Sequence, residues 1–394
     1  MSQRAYPDPA LFTSDRPVAA IFRSPMFNAS ETFVRAQATG LTRYQPLVIG
    51  LEDKGHVPPE LERRIWLPGS GASAFSTRLL GRSSWIADDL EGFRPALVHA
   101  HFAQDGLTAL GMAQRWGVPL ITSLRGHDVM RSRAAQLFSG HASWMAYAVQ
   151  KNRLIRHGAL FLTVSEALRN VAIRRGFPAA RTITHYNGVD MTRFDGLRNR
   201  VEDGLILHVG RLVEKKGTAD LIDAFERIAI HRADARLVII GDGPLRSSLG
   251  RQVEKAQLTE RVVFAGVQPA ERVADWLARA AVVVIPSKTA RDGDAEGLPN
   301  IALEAAAAGC PVVASRHMGL REVVVEGQTG IMVREGAIAA IGDAILYLLS
   351  APRRAAAMGE AGRALMLSRF AFADQMERLE TLYDRVRADA GASP

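Results

Sequence analysis

The chain has 394 residues, 47% of them hydrophobic and 23% charged, a balance that excludes a disordered chain and, at this length, favours two domains over one. Its net charge of +8 is one-sided: residues 1–195 hold 23 Lys+Arg against 15 Asp+Glu, whereas the remainder holds 26 of each. The apolar runs are far shorter than the roughly 20 residues of a spanning helix, and prolines and acids stand at the N-terminus where a secretion signal needs an apolar core. Cys310 is the single cysteine. It excludes an internal disulfide, fits a reducing cytoplasm, and reads as an inert core residue within AAAAGCPVV.

Short apolar strands alternate with helical patterns in both halves, the signature of parallel sheets built from βαβ units. In the first half the expected strands are 18–22, 46–51, 96–101, 119–124, 159–165 and 182–187. One-sided basicity there points to an acidic partner such as a membrane surface. Between Arg131 and Arg156, basic residues interleave with Phe138, Trp144, Met145 and Tyr147, as in an interfacial amphipathic helix; the other reading is a solvated helix whose aromatics pack inward. The polar stretch 192–204 reads as a linker.

The second half restarts with expected strands at 205–211, 236–243, 261–266, 281–287 and 311–315. The first runs into Gly210-Arg211 and on through LVEKKG, so Arg211 and Lys216 flank a loop at a strand's carboxyl end. Such cations can neutralise a diphosphate, the arginine as a fork and the lysine as a point charge, although a solvated charge cluster has the same composition. The second ends in GDGP, where Gly241 allows close backbone approach or an ordinary turn. A dinucleotide fingerprint is incomplete, because Arg246 occupies the third glycine position. The last helix, over about 372–388, is amphipathic.

The densest signal is DAEGLPNIALEAAAAGCPVVAS, from Asp294 to Ser315. The spacing predicts a helix starting near Pro299, whose missing N–H suits a first-turn position and whose free amides form an anion site. Glu296 precedes that helix and Glu304 lies on its second turn, so both carboxylates can reach a ligand there. A carboxylate beside a phosphate site accepts hydroxyl hydrogen bonds, which implies a ligand with hydroxyls as well as phosphates. The DGD at Asp292 to Asp294 is too short to argue a metal site.

The ordered set GRLVEKKG, GDGP, PS, EGLPNIALEAAAAGCPVVAS and GQTG, together with VSEALRN and HYNGVDMTRF, resembles the retaining glycosyltransferases of family 4. NASETF and HAHFAQDG are similar to a branch acting in bacterial exopolysaccharide synthesis, including colanic-acid-type enzymes. The resemblance implies an α/β protein of the GT-B fold: two doubly wound Rossmann-like domains facing a cleft, with a C-terminal helix crossing back to the first. It gives an acceptor domain over 1–195, a nucleotide-sugar domain over 196–370, and a crossover helix and tail over 371–394.

It further implies that Arg211 and Lys216 bind the donor diphosphate, that Glu304 holds the ribose hydroxyls, and that Glu296 lies near the transferred sugar. Asn300 and Ile301 would offer amides to phosphate, Leu298 would touch the sugar, and Gly241 would line the donor site. Ser30, Glu31 and Asp105 fall on the acceptor side, although Ser30 equally suits a helix cap. SLRGHDV departs from the family's His-Gly-x-Asp: Arg125 takes the histidine position and could stabilise leaving phosphate, while His127 could act in the site or be a polar contact. The implied reaction needs no metal or other cofactor. The expected partners are a nucleotide-sugar donor, a lipid-linked or oligosaccharide acceptor, and the inner face of the cytoplasmic membrane, with no nucleic acid. A nucleotide-sugar epimerase of similar fold and a non-catalytic sugar-nucleotide-binding protein share the same donor features.

Overall fold

Runs of Val, Ile, Leu and Phe with no polar alternation suit strands covered on both faces, as in parallel sheets. The computed structural model, which describes residues 5–12, 15–26, 31–53, 57–68, 77–78, 83–197 and 200–392, places these runs in two such sheets. The first contains β1 (Val18–Phe22), β2 (Gln45–Ile49), β3 (Ile65–Trp66), β4 (Leu97–His101), β5 (Leu120–Leu124), β6 (Leu160–Thr163) and β7 (Thr182–Thr184), in the spatial order β3-β2-β1-β4-β5-β6-β7. The second contains β8 (Leu205–Val209), β9 (Arg236–Ile240), β10 (Val262–Gly266), β11 (Val282–Ile285), β12 (Val312–Ser315) and β13 (Gly330–Val333), ordered β10-β9-β8-β11-β12-β13. All pairings within both sheets are parallel.

Each order is that of a doubly wound sheet, with the direction of winding reversing between β1 and β4 and between β8 and β11. Ligands of such sheets bind beyond the carboxyl ends of the strands at that reversal. The expected strands were found with slightly shorter ends. β3 and β13 were not anticipated, because Ile65–Trp66 is too short to show a period and Gly330–Val333 follows directly on the GQTG turn.

Chain contacts divide the protein into 1–186 with 373–394, and 187–372. The stretch expected to be a linker belongs to the second unit: Met191–Phe194 forms a 3-10 turn capped by Asp190, and Phe194 is buried. The chain therefore changes unit before Asn187, not after 195. It returns after Phe372, and the two passages run side by side, with Val189 N–H donating to Phe370 O at 2.8 Å and Phe372 N–H to Val189 O at 3.0 Å.

In the second unit, Leu221, Ile222, Phe225 and Ile228 recur at helical spacing along helix Thr218–His231 and pack on Ile206, Leu237 and Val284. Cys310 is buried, as expected, with its Sγ 3.4 Å from the Ala280 carbonyl oxygen. In the first unit, helix Phe372–Gly391 buries Met376, Leu379, Tyr383 and Val386 along one face. Glu380 on that face is only 2% exposed, and its carboxylate accepts from Thr42 N (2.8 Å), Arg43 N (2.7 Å) and Thr42 Oγ1 (2.9 Å). Glu380→Ala would orphan these donors, each costing about 1–3 kcal/mol. Urea denaturation should show a loss of at least about 2 kcal/mol, against less than about 0.5 kcal/mol for exposed Glu377→Ala; equal effects would refute the clamp.

Candidate functional site

The strand-end loops of the second unit meet backbone to backbone. Gly210 N–H donates to Ile240 O at 2.9 Å and Leu212 N–H to Asp242 O at 2.9 Å, joining the loop after β8 to that after β9. A Cβ on Gly241 would lie 2.0 Å from Gly210 O, and one on Gly217, which has φ +66°, would lie 1.9 Å from Pro286 O. Only glycine fits either place. The loops after β8, β9 and β11 are thereby held together, with Arg211 and Lys216 carried between these contacts.

Arg211 is exposed and makes no ion pair with a described residue. The Lys216 stem crosses Gly210, and its ammonium lies 2.7 Å from Glu296 Oε1. Ser287 Oγ donates to Glu296 Oε2 at 3.3 Å. Burial pushes the Glu296 carboxyl up, but the Lys216 and Lys215 ammonium groups more than offset this and hold it below the usual range. Lys215 itself pairs with Asp294 at 3.1 Å. Among the described residues, no group of three or more His, Cys, Asp or Glu is placed to hold a metal ion.

The helix after β11 spans Asn300–Ala307, with Pro299 at the cap in extended conformation (φ −67°, ψ 128°). Proline thus precedes the first helical residue and leaves the amides of Asn300 and Ile301 outside the helical ladder. The helix ends through Gly309, at φ +70°, with Gly309 N–H donating to Ala306 O and Cys310 N–H to Ala305 O, the paired pattern of a Schellman motif. Alanines and leucines bury most of its surface, leaving Glu304 as its only charged residue and partly exposed. Burial raises the Glu304 carboxyl, and Arg193 opposes the rise. Asn300 Oδ1 accepts from Asn187 Nδ2 at 2.7 Å, while Leu298 and Ile301 are buried.

In the first unit, Glu31 and Asp105 come together through Arg23, a residue the sequence reading missed although it directly follows β1. Arg23 Nε and Nη2 donate to Glu31 at 2.8 and 2.7 Å, and Nη1 donates to Asp105 Oδ2 at 2.6 Å. Ser24 N–H also donates to Asp105, and the guanidinium lies 4.3 Å from the Phe102 ring centre. All three charged groups are buried. The Asp105 and Glu31 carboxylates, both expected on the acceptor side, are thus enclosed here and hold Arg23. Ser30 lies outside the described residues.

Arg125 Nη2 donates to His101 Nδ1 at 2.9 Å and lies within 3.3 Å of Gln37 Oε1, with its guanidinium 4.2 Å from the Phe33 ring centre. Burial pushes Arg125 down to about 9, against the pull of Asp128 and Glu31, so it still carries its charge at neutral pH. Asp128 accepts from the backbone N–H groups of Ala103, Arg125 and Gly126 and fixes the RGHD turn, in which Gly126 has φ +134°. His127 packs between Phe102 and Trp144, at ring separations of 4.8 and 5.2 Å. His101 and Gln37 were also missed; the HAH repeat ending β4 was a signal for the first, and nothing local marked the second.

Beneath the loops after β8 and β11, His208 bonds Val284 O at 2.9 Å and Thr218 Oγ1 at 3.0 Å, and burial pushes it down to about 4. The unfolded chain takes up this proton near 6.5, the folded chain only near 4, so the unfolded state binds more protons between them. Stability is full above about pH 6.5 and falls towards pH 4 by about 1.4 kcal/mol per pH unit for this histidine. Unfolding free energies measured from pH 7 to 5 should fall less steeply in His208→Gln than in the parent; identical slopes would refute the assignment.

The profile described as Glycosyltransferase Family 4 matches residues 30–193, and that described as Glycosyl transferases group 1 matches residues 192–365. A GDP-mannose-dependent alpha-(1-6)-phosphatidylinositol monomannoside mannosyltransferase of Mycolicibacterium smegmatis is 34% identical over 292 residues, covering 70% of this chain and 73% of the relative. WcaL of Salmonella typhimurium, whose name places it in colanic acid biosynthesis, is 32% identical over 60% of this chain, and the match spans only 57% of its own length. Among solved structures, Anabaena Alr3699/HepE in complex with UDP and glucose superposes with a TM-score of 0.75 at 21% identity, covering 93% of this chain and 99% of that one. Sucrose-phosphate synthase from Thermosynechococcus elongatus gives 0.77 at 19% identity, covering 95% and 100%. The fold is that of the GT-B proteins, and the chain belongs to glycosyltransferase family 4 with its group 1 glycosyltransferase domain.

Proposed function

We propose that the protein is a retaining, metal-independent glycosyltransferase that moves a sugar from a nucleoside-diphosphate sugar to a lipid-linked glycan acceptor in bacterial polysaccharide synthesis. The observation that carries this reading is the ion pair, within the second unit, between Lys216 and Glu296 just ahead of helix Asn300–Ala307, with Arg211 on the same strand-end loop as Lys216 and Glu304 on the second turn of that helix. Two cations and free amides suit a diphosphate. A partly exposed carboxylate one turn into the helix suits ribose hydroxyls.

Cleavage of the anomeric C–O bond leaves positive charge on the sugar and negative charge on the departing phosphate. Arg211, Lys216 and the helix amides stabilise that phosphate, whose oxygen accepts the proton of the attacking acceptor hydroxyl as the new glycosidic bond forms on the same face. In the free protein Lys216 is held by Glu296 at 2.7 Å; diphosphate binding then shares or replaces this partner. In the first unit Arg125 keeps its charge against the Phe33 ring, and His127 serves packing between Phe102 and Trp144.

The acceptor side is assigned to the basic first unit. Trp144 and Tyr147 of helix Ala142–His157 pack inward, but Phe138, Met145 and Val149 are 88%, 39% and 65% exposed, beside exposed Arg133 and Arg156. Apolar side chains flanked by cations suit peripheral attachment to an anionic membrane surface. No described helix is long and apolar enough to cross a membrane.

Arg211→Ala or Lys216→Ala should lower kcat/KM by about 10²–10³, the usual cost of one transition-state donor, and unchanged kinetics would remove their roles. Glu304→Gln should weaken calorimetric binding of free UDP or GDP, whichever the parent binds; an unaltered affinity would place that carboxylate elsewhere. Phe138→Ser with Val149→Ser should reduce sedimentation with phosphatidylglycerol vesicles but not with phosphatidylcholine vesicles. Equal sedimentation of parent and variant would exclude this membrane face.

A further inference from the structure

One buried histidine in the second unit has a role that neither the diphosphate nor the ribose contacts explain. His317 lies just past β12, beside the carboxyl ends of β11 and β13, and is 2% exposed. Its Nδ1 is 2.6 Å from Glu335 Oε1, and the other oxygen of Glu335 accepts from Thr289 N–H at 3.0 Å. A carboxylate that accepts on both oxygens requires the proton on Nδ1, which leaves Nε2 of the neutral ring as an acceptor. That Nε2 is buried and has no hydrogen-bond partner among the described residues, as does Ser315 Oγ at the end of the same strand. Leaving a buried polar atom unpaired is costly, and such an atom at the ligand end of a doubly wound sheet marks a place completed by substrate.

The surrounding backbone supports a built site. Met318 adopts φ +38°, a left-handed conformation that is uncommon for a non-glycine residue. Gly319 N–H donates to Gly297 O at 3.0 Å, tying the His317 loop directly to the residue after Glu296. Burial pushes the Glu335 carboxyl up, but hydrogen bonds from His317 and Thr289 hold it below its usual range, so it stays charged as an anchor.

We infer that His317 is a donor-sugar specificity residue whose Nε2 accepts a hydrogen bond from a hydroxyl of the transferred sugar, with Glu335 as the positioning residue that orients the ring. The inference rests on the donor-binding reading of this unit. It separates the contacts into two sets: Arg211, Lys216 and Glu304 hold the nucleoside diphosphate, while His317 reads the sugar beyond it.

The test is calorimetry of the full chain with UDP, GDP and ADP and with UDP-glucose, GDP-mannose and ADP-glucose. For the base that the parent binds, His317→Ala should leave the nucleoside diphosphate affinity within about twofold and weaken the sugar conjugate about tenfold, the fold change of one lost hydrogen bond. Glu335→Ala should reproduce that split, and Glu335→Gln, which keeps an oxygen for Nδ1–H, should restore most of the sugar affinity. His317→Gln preserves volume and an acceptor; it should show a smaller split and serves if the alanine variant fails to fold. Equal weakening of both ligands, or of neither, would overturn the role of His317. Failure of the parent to bind any of the three diphosphates would overturn the donor-site reading itself, and the inference with it.

Discussion

The close approach of backbone to backbone at the carboxyl ends of the second sheet is the constraint on which its site depends. Gly217 against Pro286 O and Gly241 against Gly210 O leave no room for a Cβ, so the loops after three separate strands close into one surface. Gly217 is also left-handed, which lets the loop turn into helix Thr218–His231 immediately after Lys216. Without that turn Lys216 would not cross Gly210 towards Glu296. The position of the lysine thus follows from glycine geometry, and its pairing with Glu296 follows from the position.

The two units handle charge in different ways. In the first, Arg23 is enclosed with two carboxylates, so the desolvation cost is met by direct hydrogen bonds and the charges have little freedom. Such clusters contribute more to fixing one arrangement than to net stability. Arg23 aligns the end of β1 with helix Ala103–Trp116 through Asp105, while Phe102, at φ +74°, turns the chain between β4 and that helix and stacks on both Arg23 and His127. The C-terminal helix joins this framework: Tyr383 Oη is 2.6 Å from His99 Nδ1, whose other nitrogen is 2.8 Å from Ser123 Oγ. In the second unit the cations are less enclosed, and Arg211 is exposed, which leaves them able to meet a ligand.

Hydrophobic runs and glycine-rich strand ends made most of the fold legible. Eleven of the strands show as apolar stretches because a strand covered on both faces must be apolar throughout, and glycines at their carboxyl ends mark where loops converge. The chain's passage between units was less legible. Polar composition at 192–204 suggested a linker, but Phe194 finds an apolar site in the second unit, and burial of that ring outweighs the polarity around it.

For the site, local spacing along the chain determined the helix with its two carboxylates, the pair Arg211 and Lys216, and the turn carrying Arg125, because each depends on residues a few positions apart. Tertiary structure alone decided which charges are available. Asp105 meets Arg23 across 82 positions and His317 meets Glu335 across 18, so no local pattern distinguishes a carboxylate committed to a buried partner from one that faces a ligand. The difference is physical: a charge taken out of water must find its counterpart wherever the fold places one, and the fold is set by the apolar residues between them.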